Sequence, residues 1–225
     1  VSSTTHHPLH FRDGHLYLEV DGELWLLDTG APVSFGDSED LAIGGTTFRL
    51  ESGLLNLDSA RLSEFVGVEC AGLLGGDVLS NFDIVLDQES GRATLATDEL
   101  GVPGHALSLE RFMGIPIVPG RIGGKAHRFF FDTGAQLSYL NEAELAAFPE
   151  AGPVEDFHPS VGSFTTNAHQ VDVSLGPHDF TVRCGSLPGV LGITLSMAGT
   201  SGILGNEILA GRVVGYFPRR AELVL

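Results

Sequence analysis

Two stretches of this chain have residue types that could do chemistry, Asp28-Thr29-Gly30-Ala31 and Asp132-Thr133-Gly134-Ala135, and they are copies of each other. One Asp-Thr-Gly arises by chance on the order of once in 8,000 positions and is a weak motif. Here the match runs on: Ser34 and Ser138 each stand six residues after the aspartate, and equivalent residues lie 104 apart from each Asp to its Ser. Each copy follows an apolar run, Leu26-Leu27 in the first and Phe129-Phe130-Phe131 in the second, the pattern of a buried strand. A carboxylate delivered by a buried strand is costly unless it is used, and Gly30 and Gly134 are expected to supply the unusual backbone angles of a tight turn. Two carboxyls brought to about 3 Å cannot both be ionised, so they share a proton and titrate together. The ionised member can then take a proton from water while the protonated member donates to an oxygen that is gaining charge. That chemistry requires no metal and no organic cofactor.

The elements that must position the two aspartates are repeated as well. Alternation over 11–20, a turn at Asp21-Gly22 and a returning strand over 24–27 predict a hairpin that ends at Asp28. Strands over 115–122 and 126–131, joined at Gly123-Gly124, predict its counterpart ending at Asp132. Further on, Leu73-Leu74-Gly75 and Ile203-Leu204-Gly205 match at a spacing of 130, and both are expected to pack behind the aspartate turns. The two spacings, 104 and 130, give the second copy about 26 extra residues. A second hairpin match, 41–50 with 173–182, places that insertion between Ser138 and Val173. Within it, 141–148 reads as a short helix with Asn141 as N-cap, Glu144 three residues on and Pro149 as the stop. The remainder, 154–171, reads as a hairpin with its tip at Ser160-Val161-Gly162-Ser163-Phe164.

Thirty Gly, eleven Pro and many short apolar runs in 225 residues favour an all-β chain of strands and turns. The expected organisation is a loose lead-in over 1–10, an N-terminal lobe over 11–97, a linker over 98–111 containing Gly101, Pro103 and Gly104, and a C-terminal lobe over 112–225. His6 and His10 share no helical face because Pro8 intervenes. A net charge of −17, with Lys125 the only lysine, argues against nucleic acid or an anionic membrane as partner. Cys70 and Cys184 do not occupy equivalent places, so no disulfide framework can be read from them and no zinc spacing is present. No run reaches transmembrane length, and 1–10 lacks the features of a signal peptide. The start at Val1 fits a processed or excised piece, and the compartment stays open.

With its two Asp-Thr-Gly motifs and two apolar-apolar-Gly blocks, the chain from about Phe11 onward resembles the aspartic peptidase clan, the pepsins and retroviral proteases. The resemblance implies a bilobal all-β fold with pseudo-twofold symmetry and a flap that closes over the cleft. It implies Asp28 and Asp132 as the catalytic pair, with Thr29, Gly30, Ala31, Thr133, Gly134 and Ala135 as the supporting turns. Val161-Gly162-Ser163-Phe164 looks like a retroviral flap tip, so a polypeptide substrate is implied. Three departures from pepsins stand out. Ala31 and Ala135 replace the usual Ser or Thr, which implies a less acid-shifted pair. The first copy runs from Ser34 to Leu41 with no room for a flap, so the flap is expected on the second lobe alone. Phe164 lacks the hydroxyl of the pepsin flap tyrosine. Both aspartates lie in one chain, so a monomer suffices. The alternative is a catalytically silent peptide-binding or scaffold domain on the same fold.

Overall fold

Asp13-Gly14 and Asp21-Gly22 both hold two successive residues at positive φ, the backbone of the tight hairpin turn that matches the twist of the strands it joins. In the computed structural model, which describes residues 3–225, such turns build a mostly β architecture. The hairpins expected around Asp21-Gly22 and Gly123-Gly124 form as His15–Val20 with Glu23–Leu27 and Ile115–Ile122 with Lys125–Phe131. Among the described residues no helix is long and apolar enough to cross a membrane.

The stretch expected to be a loose lead-in is instead a strand, Thr4–Arg12. Its first half pairs with Arg92–Ala96 and its second half with His15–Val20. Pro8 falls where the strand changes partner, so neither ladder runs on through a residue without an N–H. The polar sequence gave no strand signal because the strand is held by backbone pairing rather than by an apolar face.

This strand is part of a ten-stranded sheet that joins both halves of the chain. In order across the sheet come Ala106–Ser108, Glu222–Val224, Val213–Phe217, Asp83–Asp87, Arg92–Ala96, Thr4–Arg12, His15–Val20, Glu23–Leu27, Gly72–Leu74 and Phe35–Gly36. Where the halves meet, Val213–Phe217 runs antiparallel to Asp83–Asp87 with Gly215 opposite Val85. Those two residues are themselves equivalents at the spacing of 130, so the repeat pairs with itself about a local twofold. The second sheet has eight strands and belongs to the second half: Glu110–Phe112, Ile115–Ile122, Lys125–Phe131, Gly202–Leu204, Ser138–Leu140, His178–Ser186, Gly162–Leu175 and Glu150–His158. One continuous core runs through both halves, from Leu18, Leu27 and Phe82 to Phe131, Leu204 and Leu223.

The expected linker 98–111 is tied down along its length. Ala106–Ser108 pairs with Glu222–Val224, and Glu110–Phe112 with Ile115–Ile122. Asp83, fully buried, accepts from Arg219 Nη2 at 3.0 Å and from Arg220 Nη1. The same two guanidinium groups donate to the carbonyls of Thr97, Asp98 and Leu100. A buried carboxylate is stable only when paired in this way, and here the pairing fastens the connection between the halves to the C-terminal segment.

Two helices had no clear sequence signal. Ser59–Val66 starts at an Asp58 N-cap, whose carboxylate accepts from Arg61 N at 2.9 Å, and stops at Gly67 in the left-handed region. Gly189–Ala198 is the second. The helix expected over 141–148 is a single turn, Glu142–Leu145, with Asn141 Oδ1 accepting from Ala143 N at 3.0 Å. Cys70 and Cys184 are buried free thiols.

Candidate active site

Each aspartate leaves the end of a strand that is backed, in parallel, by its apolar-apolar-Gly block. Leu27 lies opposite Leu74, and Phe131 opposite Leu204. The ladder continues into the turns: Asp28 N donates to Leu74 O at 3.0 Å and Asp132 N to Leu204 O at 2.9 Å. The return contacts match as well. Gly76 N donates to Ala31 O at 2.8 Å, and Asn206 N to Ala135 O at 2.9 Å. The two serines complete the clamp, Ser34 Oγ accepting from Gly75 N at 2.8 Å and Ser138 Oγ from Gly205 N at 3.0 Å. These backbone contacts hold both turns in place behind the two carboxyls.

The turns are then locked to each other. Thr29 N donates to Thr133 Oγ1 and Thr133 N to Thr29 Oγ1; the two hydroxyls donate on to Phe131 O at 2.6 Å and Leu27 O at 2.8 Å. Both threonines are buried.

Gly30 and Gly134 are required for space and not for backbone angle. Neither has a positive φ, which corrects the expectation drawn from the sequence. A Cβ placed on Gly30 would stand 2.4 Å from Asp132 Cγ, and one on Gly134 2.5 Å from Asp28 Cγ. Each glycine makes room for the carboxyl of the other copy, and the two carboxyls meet in hydrogen-bonding contact. Asp28 Oδ1 accepts from Ala31 N at 2.9 Å; Asp132 Oδ1 accepts from Gly134 N at 2.9 Å and Ala135 N at 3.2 Å.

Burial raises the proton affinity of both carboxyls. Asp28 is held well above the usual carboxylate range by burial and then by the charge of Asp132. For Asp132, burial is partly offset by the hydrogen bond from Asp28 and by those from the Gly134 and Ala135 N–H groups. The two carboxyls therefore share a proton and titrate as one coupled pair.

The pair opens into a cleft of about 260 Å³. Its roof is a long hairpin, Glu150–His158 with Gly162–Leu175, on the second half of the chain. His158 lies opposite Gly162, and Val161 N donates to His158 O at 2.9 Å, so the tip is Pro159-Ser160-Val161. The expected tip was centred too late: Gly162, Ser163 and Phe164 lie on the returning strand, and of Val161, Gly162, Ser163 and Phe164 only Phe164 lines the cleft. Pro, with its fixed φ, opens the turn and Gly162, at φ 85°, closes it.

The outgoing strand instead supplies Asp156, Phe157 and His158 to the cleft, and the turn supplies Pro159. Successive residues of a strand face opposite ways. Phe157 reaches across to stack on Phe65 of helix Ser59–Val66, ring centroids 4.4 Å apart. Asp156 turns back to its own half and accepts from the Tyr139 hydroxyl, and its other oxygen accepts from Phe157 N at 2.8 Å.

Two histidines that belong to no motif in the sequence, His15 and His158, also line the cleft. His15 is buried, its Nδ1–H donating to Asp13 O at 2.9 Å, and His158 Nδ1 accepts from Ser160 N at 3.1 Å. Burial lowers the proton affinity of both. The facing lip is a tight turn, Leu54-Leu55-Asn56-Leu57, closed by two backbone hydrogen bonds of 2.8 and 2.9 Å. Leu55 there is held at φ 51° while 59% exposed, a conformation that costs roughly 1–2 kcal/mol for a residue with a Cβ. Among the described residues no group of three or more His, Cys, Asp or Glu is placed to hold a metal ion. No family model matches the chain, and no curated protein matches it in sequence.

Proposed function

We propose that this chain is an aspartic endopeptidase with the bilobal fold of the pepsin and retroviral protease clan, its two lobes carrying Asp28 and Asp132 and its only flap on the second lobe. The observation that carries the proposal is the meeting of two half-buried carboxyls across reciprocally bonded turns. Such a pair holds one proton between two acids. A water lodged between them attacks the peptide carbonyl carbon as the ionised carboxyl of the pair takes its proton and the protonated one gives its own to the carbonyl oxygen. The tetrahedral species then collapses: the oxygen returns a proton to the carboxyl that gave one, the C–N bond breaks, and the departing amine receives the proton taken from the water. The substrate lies extended beneath the flap hairpin and adds a strand to it. Because one chain supplies both aspartates, the monomer is sufficient.

The test is cleavage of unfolded casein and of a peptide library by wild type, Asp28→Asn and Asp132→Asn. Wild type is expected to cleave, and each variant to lose at least about a thousandfold in rate. Equal cleavage by all three overturns the mechanism. Peptide binding by wild type with no cleavage at any pH overturns the enzyme in favour of a binding domain.

A further inference from the structure

The cleft around the aspartate pair is walled by apolar side chains, among them Leu26, Leu57, Leu73, Leu187 and Ile203, and no Lys or Arg lines it. Asp156 nevertheless places a carboxylate there. It is half-buried, and among the described residues it takes part in no ion pair. Its partners are neutral donors, the Tyr139 hydroxyl and the Phe157 N–H. Its charge acts on its neighbours: after burial, Asp156 is the next cause that pushes the Tyr139 hydroxyl up, and it is the last of the causes acting on Asp132. The nearby His15 and His158 are both driven toward the neutral form by burial, so neither supplies a standing positive charge at neutral pH.

A carboxylate kept without a counter-ion in an apolar enclosure is costly. The cost is recovered when a cation arrives, because a charge-assisted hydrogen bond in such surroundings is stronger than one in water. Two residues fix where that cation would sit. Phe157, next in sequence, is stacked on Phe65, and Tyr139 is packed against Phe164 at 6.3 Å between ring centroids. Asp156, hydrogen-bonded to the Tyr139 hydroxyl and the Phe157 N–H, is therefore held in the lining of the cleft. A net charge of −17 further favours approach by basic peptides.

We infer that Asp156 is a specificity-determining residue, and that the preferred substrate is a peptide presenting a lysine or arginine side chain to the flap beside the bond to be cut. The inference rests on reading the cleft as a peptide-cleaving site, and it adds the charge of the substrate to that reading.

The experiment compares fluorogenic peptides that are identical except for lysine, norleucine or glutamate at each position flanking the cut. For wild type, kcat/KM with lysine at one position is expected to exceed that with norleucine by about tenfold to a hundredfold, with glutamate lowest and with the margin shrinking as salt is added. Asp156→Asn, which keeps one oxygen to accept from the Phe157 N–H and offers its amide N–H to the Tyr139 oxygen, is expected to bring the lysine-to-norleucine ratio close to one. Glu155→Gln, the exposed neighbour, is expected to leave the ratio as it was. A purely structural role for Asp156 predicts that all three peptides slow together in Asp156→Asn with their ratio unchanged, and that result overturns the inference. Equal rates for lysine and norleucine in wild type also overturn it. If wild type cleaves none of the peptides, fluorescence anisotropy of the labelled lysine and norleucine peptides on wild type and Asp156→Asn decides. A lysine preference that vanishes in Asp156→Asn keeps Asp156 as a cation site while the proteolytic reading falls, and equal binding or none overturns both.

Discussion

Thr29 and Thr133 exchange a matched pair of hydrogen bonds, the N–H of each donating to the Oγ1 of the other at 3.0 Å across a sequence distance of 104 residues. Each hydroxyl also donates to the carbonyl at the end of the partner's strand. Four buried hydrogen bonds therefore depend on two side chains. Replacing either threonine by valine keeps the shape and strands an N–H and a carbonyl, at roughly 1–3 kcal/mol per orphaned group. Urea unfolding of Thr29→Val and Thr133→Val should show this loss. Thr→Ser at either position should recover most of it, because serine keeps the oxygen and loses only a methyl. A serine variant as unstable as the valine one would mean that packing, not hydrogen bonding, holds the turns together.

Gly30→Ala and Gly134→Ala separate activity from folding. No positive φ is involved, so the backbone tolerates alanine, yet the added carbon would stand within 2.5 Å of the opposite carboxyl. The expected result is a folded protein, by circular dichroism and cooperative unfolding, with peptide cleavage reduced by at least about a hundredfold. Full activity in both variants would show that the carboxyls need not meet.

The aspartate pair sets a pH dependence whose sign follows from burial. Both carboxyls bind protons more tightly in the folded state than in the unfolded chain. Their contribution to stability is therefore fully present below the unfolded value of about 4 and is lost as pH rises through the folded values. Asp28→Asn removes the burden, so at pH 7 it should unfold at higher urea than wild type, with the gap closing as pH falls toward 4. For activity, Ala31 and Ala135 offer the carboxyls an N–H but no hydroxyl. Cleavage is expected to extend toward neutral pH, and Ala135→Ser to shift the acid side of the pH–rate profile to lower pH. Activity confined to strongly acidic solution would contradict this account.

Phe157 and Phe65 close the roof of the cleft onto its opposite wall. A stacked pair contributes about 0.5–1.5 kcal/mol beyond its buried area, so Phe65→Ala should raise KM by roughly twofold to tenfold while changing kcat less. Steady-state kinetics on one peptide substrate checks this, and a fall in kcat at constant KM would assign Phe65 to the chemistry instead.

The sequence alone determined the paired Asp-Thr-Gly turns, the hairpins that lead into them, the apolar-apolar-Gly blocks behind them and the presence of an extra hairpin in the second half. All of these rest on short-range patterns: alternation, turn residues and a repeat that keeps its register. Only the tertiary structure decided that Thr4–Arg12 is a strand and that Val213–Phe217 joins Asp83–Asp87 in one sheet, because backbone pairing between distant segments leaves little trace in side-chain type. It also decided that Gly30 and Gly134 serve the opposite aspartate's space, a contact between chain segments that no local reading contains. The hairpin over the cleft shows the same limit most sharply. Its existence was legible, but a shift of one residue in register turns every side chain to the other face, and so the placing of Asp156, Phe157 and His158 at the cleft depended on where Pro159 opened the turn.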